Sequence, residues 1–190
     1  MLHLARALGV SVAAVQAALY DSGLEAAHDS GALDGPTYLA QLGALLGCHV
    51  DVPAWTAARQ AASHPQQAVL QRLQTLQVPL AVLTNNGALM AQALPMLLPG
   101  LFPALQGRVF CSAGGDLRKP HPAVFQHVLA VLGVAPAHTL FVDDLFTNVR
   151  GARGRPARGD GVRRAWVGQG VEALRCALIR GQSPLPRRGL

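Results

Sequence analysis

The stretch Thr139-Leu-Phe-Val-Asp-Asp-Leu145 decides the fold, because four residues that read as a buried strand stop abruptly at two adjacent carboxylates. An open parallel sheet takes its ligands in the crevice beyond the carboxyl ends of its strands. A pair of acids at such an end suits Mg²⁺, which is held by one or two carboxylates together with substrate phosphate. The expectation is phosphoryl chemistry, with Asp143 and Asp144 as metal ligands.

Around this stretch the chain alternates short apolar runs with helical patterns. The runs are Pro79–Thr84, Arg108–Cys111, Thr139–Val142 and Arg164–Val167, and the clearest helix between them covers Pro122 to Leu132, with Val124, Val128 and Leu132 aligned. Such alternation predicts an α/β fold with a parallel sheet covered by helices. Upstream, from Met1 to about Gln77, the pattern is helical throughout. Gly9-Val10-Ser11 reads as a helix stop followed by an N-cap, and Val12, Val15, Ala18 and Leu19 share the next helical face. Pro36 opens a helix carrying Leu39, Leu42, Leu45 and Leu46, and Pro53 opens another. The expected organisation is a helical cap with a connecting helix over 1–77, a sheet core over 78–181 and a frayed tail over 182–190.

With 190 residues, 51% of them hydrophobic, the chain is long enough to bury a substantial core. No run approaches the roughly 18 consecutive apolar residues of a spanning helix, so a cytoplasmic protein without a membrane partner is expected. Cys48, Cys111 and Cys176 show no paired spacing and read as buried thiols in a reducing compartment. The net charge of +6 is a poor nucleic-acid signal, since ten of the fifteen arginines fall between Arg150 and Arg188 in a composition rich in alanine, glycine and proline. Within that region Arg153-Gly-Arg-Pro156 resembles a minor-groove arginine motif, but a basic Gly/Pro loop is ordinarily a solvated one. Lys119, by contrast, is the only lysine in the chain.

Three segments can face one crevice. Leu83-Thr84-Asn85-Asn86 places a hydroxyl and two amides where a strand stops, Arg118-Lys119-Pro120-His121-Pro122 sets a cation before a helix, and Asp143-Asp144 ends the third run. Together they form a phosphate-binding constellation. Taken alone, Asp143-Asp144 could cap the following helix and Thr84-Asn85-Asn86 could be a plain turn, but their order and spacing favour a shared site. Asn148 reads as a helix-start residue and His121 as solvent-facing; the other histidines show no ligand spacing.

The order Val-Leu-Thr-Asn-Asn, Arg-Lys-Pro-His-Pro-Ala-Val-Phe, then Leu-Phe-Val-Asp-Asp followed by Asn148 and Gly151-Ala152 resembles the haloacid dehalogenase superfamily of hydrolases, over nearly the whole chain. The resemblance implies a three-layer, Rossmann-like sandwich with a helical cap and an aspartate nucleophile. It implies that Thr84 binds the transferring phosphoryl group with Asn85 and Asn86, that Lys119 steadies nucleophile and phosphate, and that Asp143 and Asp144 hold Mg²⁺. The acidic pair favours phosphatases over true dehalogenases, because halide displacement has no phosphate charge for a metal to neutralise. A small phosphorylated metabolite is the expected substrate.

One motif is absent. The resemblance implies an Asp-x-Asp at the end of a first, central strand, and the sequence contains none; Asp21, Asp29, Asp34 and Asp51 lie in helical or turn patterns. Without that carboxylate a phosphoaspartate cannot form. The missing strand would be worth on the order of 10 kcal/mol of apolar burial, comparable to the net stability of a domain. The expectations are that Met1 is an internal start, or else that the flanking strands pair directly or the domain is a noncatalytic binding remnant. Gly154 and Pro156 interrupt the helix after Ala152, which reads as an insertion or a shifted frame over 151–164.

Overall fold

The computed structural model describes residues 1–111 and 117–153. The predicted strand Arg164–Val167, Cys176, the interruption at Gly154 and Pro156, most of the basic loop and the tail lie outside the described residues.

The first third is helical for the reasons its sequence announces. Helix α1 (Leu2–Leu8) ends at Gly9, whose φ of 67° is a left-handed cap, and α2 (Val12–Gln16) starts where the Ser11 hydroxyl accepts the Ala14 N–H. A π-helical turn over Ala17–Asp21 leads to α3 (Leu24–Asp29). Asp34 and Asp51 cap α4 (Gly35–Leu46) and α5 (Val52–Ala62), each with a proline in the first turn. Those two carboxylates are therefore engaged at helix starts, as their position outside any strand run predicts. Helix α6 (Gln67–Thr75) leads to the sheet.

Two strands form among the described residues, β1 (Val82–Thr84) and β2 (Val109–Cys111), parallel and in register with Thr84 opposite Cys111. Between them runs α7 (Ala88–Leu97), and after them α8 (Pro122–Leu132) and α9 (Phe146–Ala152). The parallel pairing and flanking helices bear out the α/β class. Helix α8 begins and ends where its periodicity predicts, with Val124 and Val128 buried.

Three expectations need correction. Thr139–Val142 is not a strand. Thr139 has extended dihedrals, Leu140 is exposed and Phe141 is turned onto Phe125 at 5.0 Å between ring centres. A ladder requires a neighbour, and the run does not pair directly with β1. The Lys119 ammonium, which bonds both the Leu83 carbonyl and Asp143, links the two instead. The helical faces are also narrower than predicted: Val12 and Leu45 are exposed, whereas Val15, Leu19, Leu39 and Leu42 are buried and Tyr38 joins them. Finally, Cys48 and Cys111 are free but only half-buried.

The apolar interior has two parts. The larger joins α1 to α5 with α7 and the segment to Leu105; the smaller lies between Leu83, α8 and Ala152, with Phe110 and Phe141 against it. The carboxyl ends of β1 and β2 emerge beside the smaller core.

Candidate functional site

At the end of β1 the chain must turn into α7 within three residues, and side chains make that turn. The Thr84 hydroxyl accepts the Asn86 backbone N–H at 3.1 Å and its side-chain amide at 2.7 Å. Such local bonding is the ordinary tendency of Thr and Asn at a strand end. Asn85 points elsewhere: its amide donates to the Lys119 carbonyl at 2.8 Å, and its oxygen accepts the Lys119 N–H at 2.9 Å. The amide thus reads the Lys119 peptide on both sides and ties the two loops together.

That tie places the lysine. Lys119 is buried, and its ammonium donates to the Leu83 carbonyl at 2.8 Å and to Asp143 Oδ2 at 2.7 Å. The two side chains of the ion pair are only 6% and 2% exposed, so each charge depends on the other. The Phe141 ring lies 5.8 Å from the ammonium. Asp143 Oδ1 accepts the Leu145 backbone N–H at 2.8 Å and the Asn148 amide at 2.9 Å. Asp144, the second acid, is exposed.

The structure therefore gathers Thr84, Asn85, Asn86, Lys119 and Asp143 around the end of β1, with Asp144 on the solvent side. Asn148, read from sequence as a helix-start residue, is buried at 4% exposure and fixes Asp143 from the first turn of α9. Gly151 has an equally concrete role. A Cβ there would collide with the Pro120 carbonyl, so only glycine lets α9 approach the Lys119 loop so closely. His121 is solvent-facing as expected, its Nδ1 accepting the Ala123 N–H at the start of α8.

The family of the chain is evident from its likeness to known proteins. A model of the haloacid dehalogenase-like hydrolases matches residues 16–154. The chain belongs to that family. Its fold is similar to the crystal structure of a HAD family enzyme from Bacteroides thetaiotaomicron, a magnesium complex, with a TM-score of 0.51 at 16% identity over 76% of this chain and 78% of that one. Within this haloacid dehalogenase-like chain, no single described helix is long and apolar enough to cross a membrane.

Sequence reasoning missed one neighbour of the site. Asp29, at the end of α3, accepts the Gly87 N–H at 2.9 Å from 58 residues away. Burial, then the nearby Glu25 carboxylate, pushes its carboxyl above the usual range, while the Gly87 bond and the Arg118 and Arg59 guanidiniums pull the other way. His28 lies over Gly87, its ring stacked on Tyr38 at 4.4 Å and its Nδ1 3.0 Å from the Leu33 carbonyl. Beside them the Cys111 thiol, held up chiefly by burial, contacts the Gly87 carbonyl. No local pattern could have announced an acid and a glycine so far apart.

Proposed function

We propose that this chain carries the phosphate- and Mg²⁺-binding half of a phosphatase centre, suited to a small phosphorylated metabolite in the cytoplasm. The observation that carries the reading is the buried Lys119–Asp143 pair at the ends of the strands, beside Thr84. A phosphate group entering there meets an ammonium already desolvated and fixed by the Leu83 carbonyl, which strengthens its attraction for an anion. Thr84 supplies a hydroxyl that holds the loop, and Asn85 keeps the lysine's backbone where the ammonium is needed.

The donor set fits Mg²⁺ in the sparse manner that ion prefers. Asp143 Oδ1 already accepts two bonds, whereas Oδ2 accepts that of the Lys119 ammonium and Asp144 beside it is exposed. No group of three or more His, Cys, Asp or Glu is arranged for a metal among the described residues, so water and substrate oxygens would complete the shell. Bound there, the ion supplies charge neutralisation for a phosphoryl group.

The sequence has no Asp-x-Asp, and phosphoryl transfer through an aspartyl phosphate requires that acid. The same pocket accordingly supports a second reading, a binding domain without turnover. A panel of phosphomonoesters incubated with Mg²⁺ and followed by ³¹P NMR separates these outcomes. Binding without hydrolysis is the expected result for this chain. Hydrolysis that Asp143→Asn abolishes would mean that another carboxylate attacks, and absence of any Mg²⁺-dependent binding would defeat the proposal. The basic loop carries no weight in this reading, and we assign the chain neither a nucleic-acid nor a membrane partner.

A further inference from the structure

The geometry points to Asp29 as a positioning residue for the phosphate loop, acting through the Gly87 backbone N–H. This rests on the proposed phosphate pocket at Thr84 and Lys119 and extends it into the helical third of the chain. Every residue of the Thr84–Gly87 turn has its own restraint. Thr84 belongs to β1, Asn85 is tied to the Lys119 peptide, and Asn86 is bonded to Thr84. Gly87 is held from the opposite side, by Asp29 at 2.9 Å and by a weak contact of its carbonyl with the Cys111 thiol at 3.8 Å.

The contact between α3 and this loop has two parts. His28 sits so close to Gly87 that a Cβ would collide with its imidazole and with its backbone carbonyl. Asp29 then fixes the amide of that same glycine. Gly87 is also the N-cap residue of α7 and has no side chain with which to cap it. A Ser, Asp or Asn at position 87 would cap α7 locally, but the imidazole leaves no room for it. Asp29 accepts a different donor, the N–H of Gly87 itself, and its bond couples the placement of α3 to the placement of the turn that carries Thr84.

The arrangement is costly for Asp29. It is only partly exposed, and Glu25 is among the groups that disfavour its charge, alongside the favourable Arg59 and Arg118. What the location provides is an acceptor for the Gly87 N–H at the hinge between the loop and α7.

The test uses the full chain and two readouts. The first is hydrogen exchange and the proton shift of the Gly87 amide, in wild type, Asp29→Asn and Asp29→Ala. The second is affinity for inorganic phosphate in Mg²⁺. Asparagine retains an acceptor oxygen, so Asp29→Asn is expected to keep Gly87 protected and phosphate affinity within about threefold of wild type. Asp29→Ala is expected to expose the amide and weaken phosphate by about tenfold, the scale of one hydrogen bond. Equal phosphate affinity in folded Asp29→Ala and wild type overturns the inference, as does an equal loss in Asp29→Asn and Asp29→Ala. If wild type binds no phosphate, the pocket itself is refuted, and Asp29 is judged separately by whether Asp29→Ala deprotects Gly87. If Asp29→Ala does not fold, wild type decides: a Gly87 amide exchanging as fast as an unstructured glycine overturns the assignment.

Discussion

Two ion pairs, Glu25–Arg59 among the helices and Lys119–Asp143 at the strand ends, are chemically alike and differently surrounded. Glu25 Oε1 accepts from Arg59 at 2.5 Å and Oε2 from the Tyr38 hydroxyl at 2.6 Å, while the Trp55 indole N–H reaches that hydroxyl at 3.4 Å. The Arg59 guanidinium lies over Trp55 at 4.8 Å. Burial, then Glu25, lifts the Tyr38 hydroxyl far above its ordinary value, which keeps it a donor. This network joins side chains to side chains and closes on itself. The pair at the strand ends instead joins a lysine to a backbone carbonyl of β1 and to an acid whose neighbour Asp144 faces solvent. One pair is thus closed by other side chains, whereas the other is anchored to the carboxyl end of β1, the end at which parallel sheets take their ligands.

The largest effect should come from breaking each pair in turn. Lys119→Met leaves Asp143 buried without its cation, which costs about 3–5 kcal/mol, and should abolish phosphate binding. Arg59→Met uncovers a glutamate that is already 14% exposed; the expected loss is about 1–3 kcal/mol, with phosphate binding retained. Denaturant unfolding and calorimetry of the two variants sharpen the comparison, and equal loss of phosphate binding in both would erase it.

Next in size is Gly151→Ala. The obstruction is the Pro120 backbone carbonyl rather than a flexible side chain, so α9 or the Lys119 loop must shift, at about 1–3 kcal/mol. Thermal unfolding measures the stability, and a weaker phosphate affinity would show that the shift reaches the ammonium. Asn148→Ala removes one of the bonds to Asp143 Oδ1 and should cost about 1–2 kcal/mol, again with the loss concentrated at the strand-end site.

The fold and the site were legible in the sequence to different depths. Helix boundaries at Gly9, Ser11, Pro36, Pro53 and Pro122 could be read because capping and proline placement are local. That Thr84, Lys119 and Asp143 come together could be read because the order of the three motifs is that of the family. That Thr139–Val142 forms no strand could not be read, since pairing is a property of two segments and an apolar run is silent about its neighbour. Asn148 lies in the first turn of α9 as its sequence position suggests, and only its bond to Asp143 went unread. Asp29 and Gly87 are joined by tertiary placement alone.

The smallest effect is a pH dependence. Asp29 has a raised folded-state pKa, so the folded protein binds this proton more tightly than the unfolded chain. Its contribution favours folding at low pH and is lost as pH rises from the ordinary carboxylate value through the raised one. Asp29→Asn should therefore gain stability relative to wild type above that window and lose the advantage below it. Melting temperatures of both proteins across the acid range check the sign, and an advantage that grows toward low pH would contradict it.

The most direct test of the strand-end pair is a calorimetric titration of the full chain with inorganic phosphate, with and without Mg²⁺, beside the same titration of Lys119→Met. Phosphate binding that strengthens with Mg²⁺ in wild type and is absent in a folded Lys119→Met is the expected result. Phosphate binding that is indifferent both to the lysine and to Mg²⁺ would contradict it.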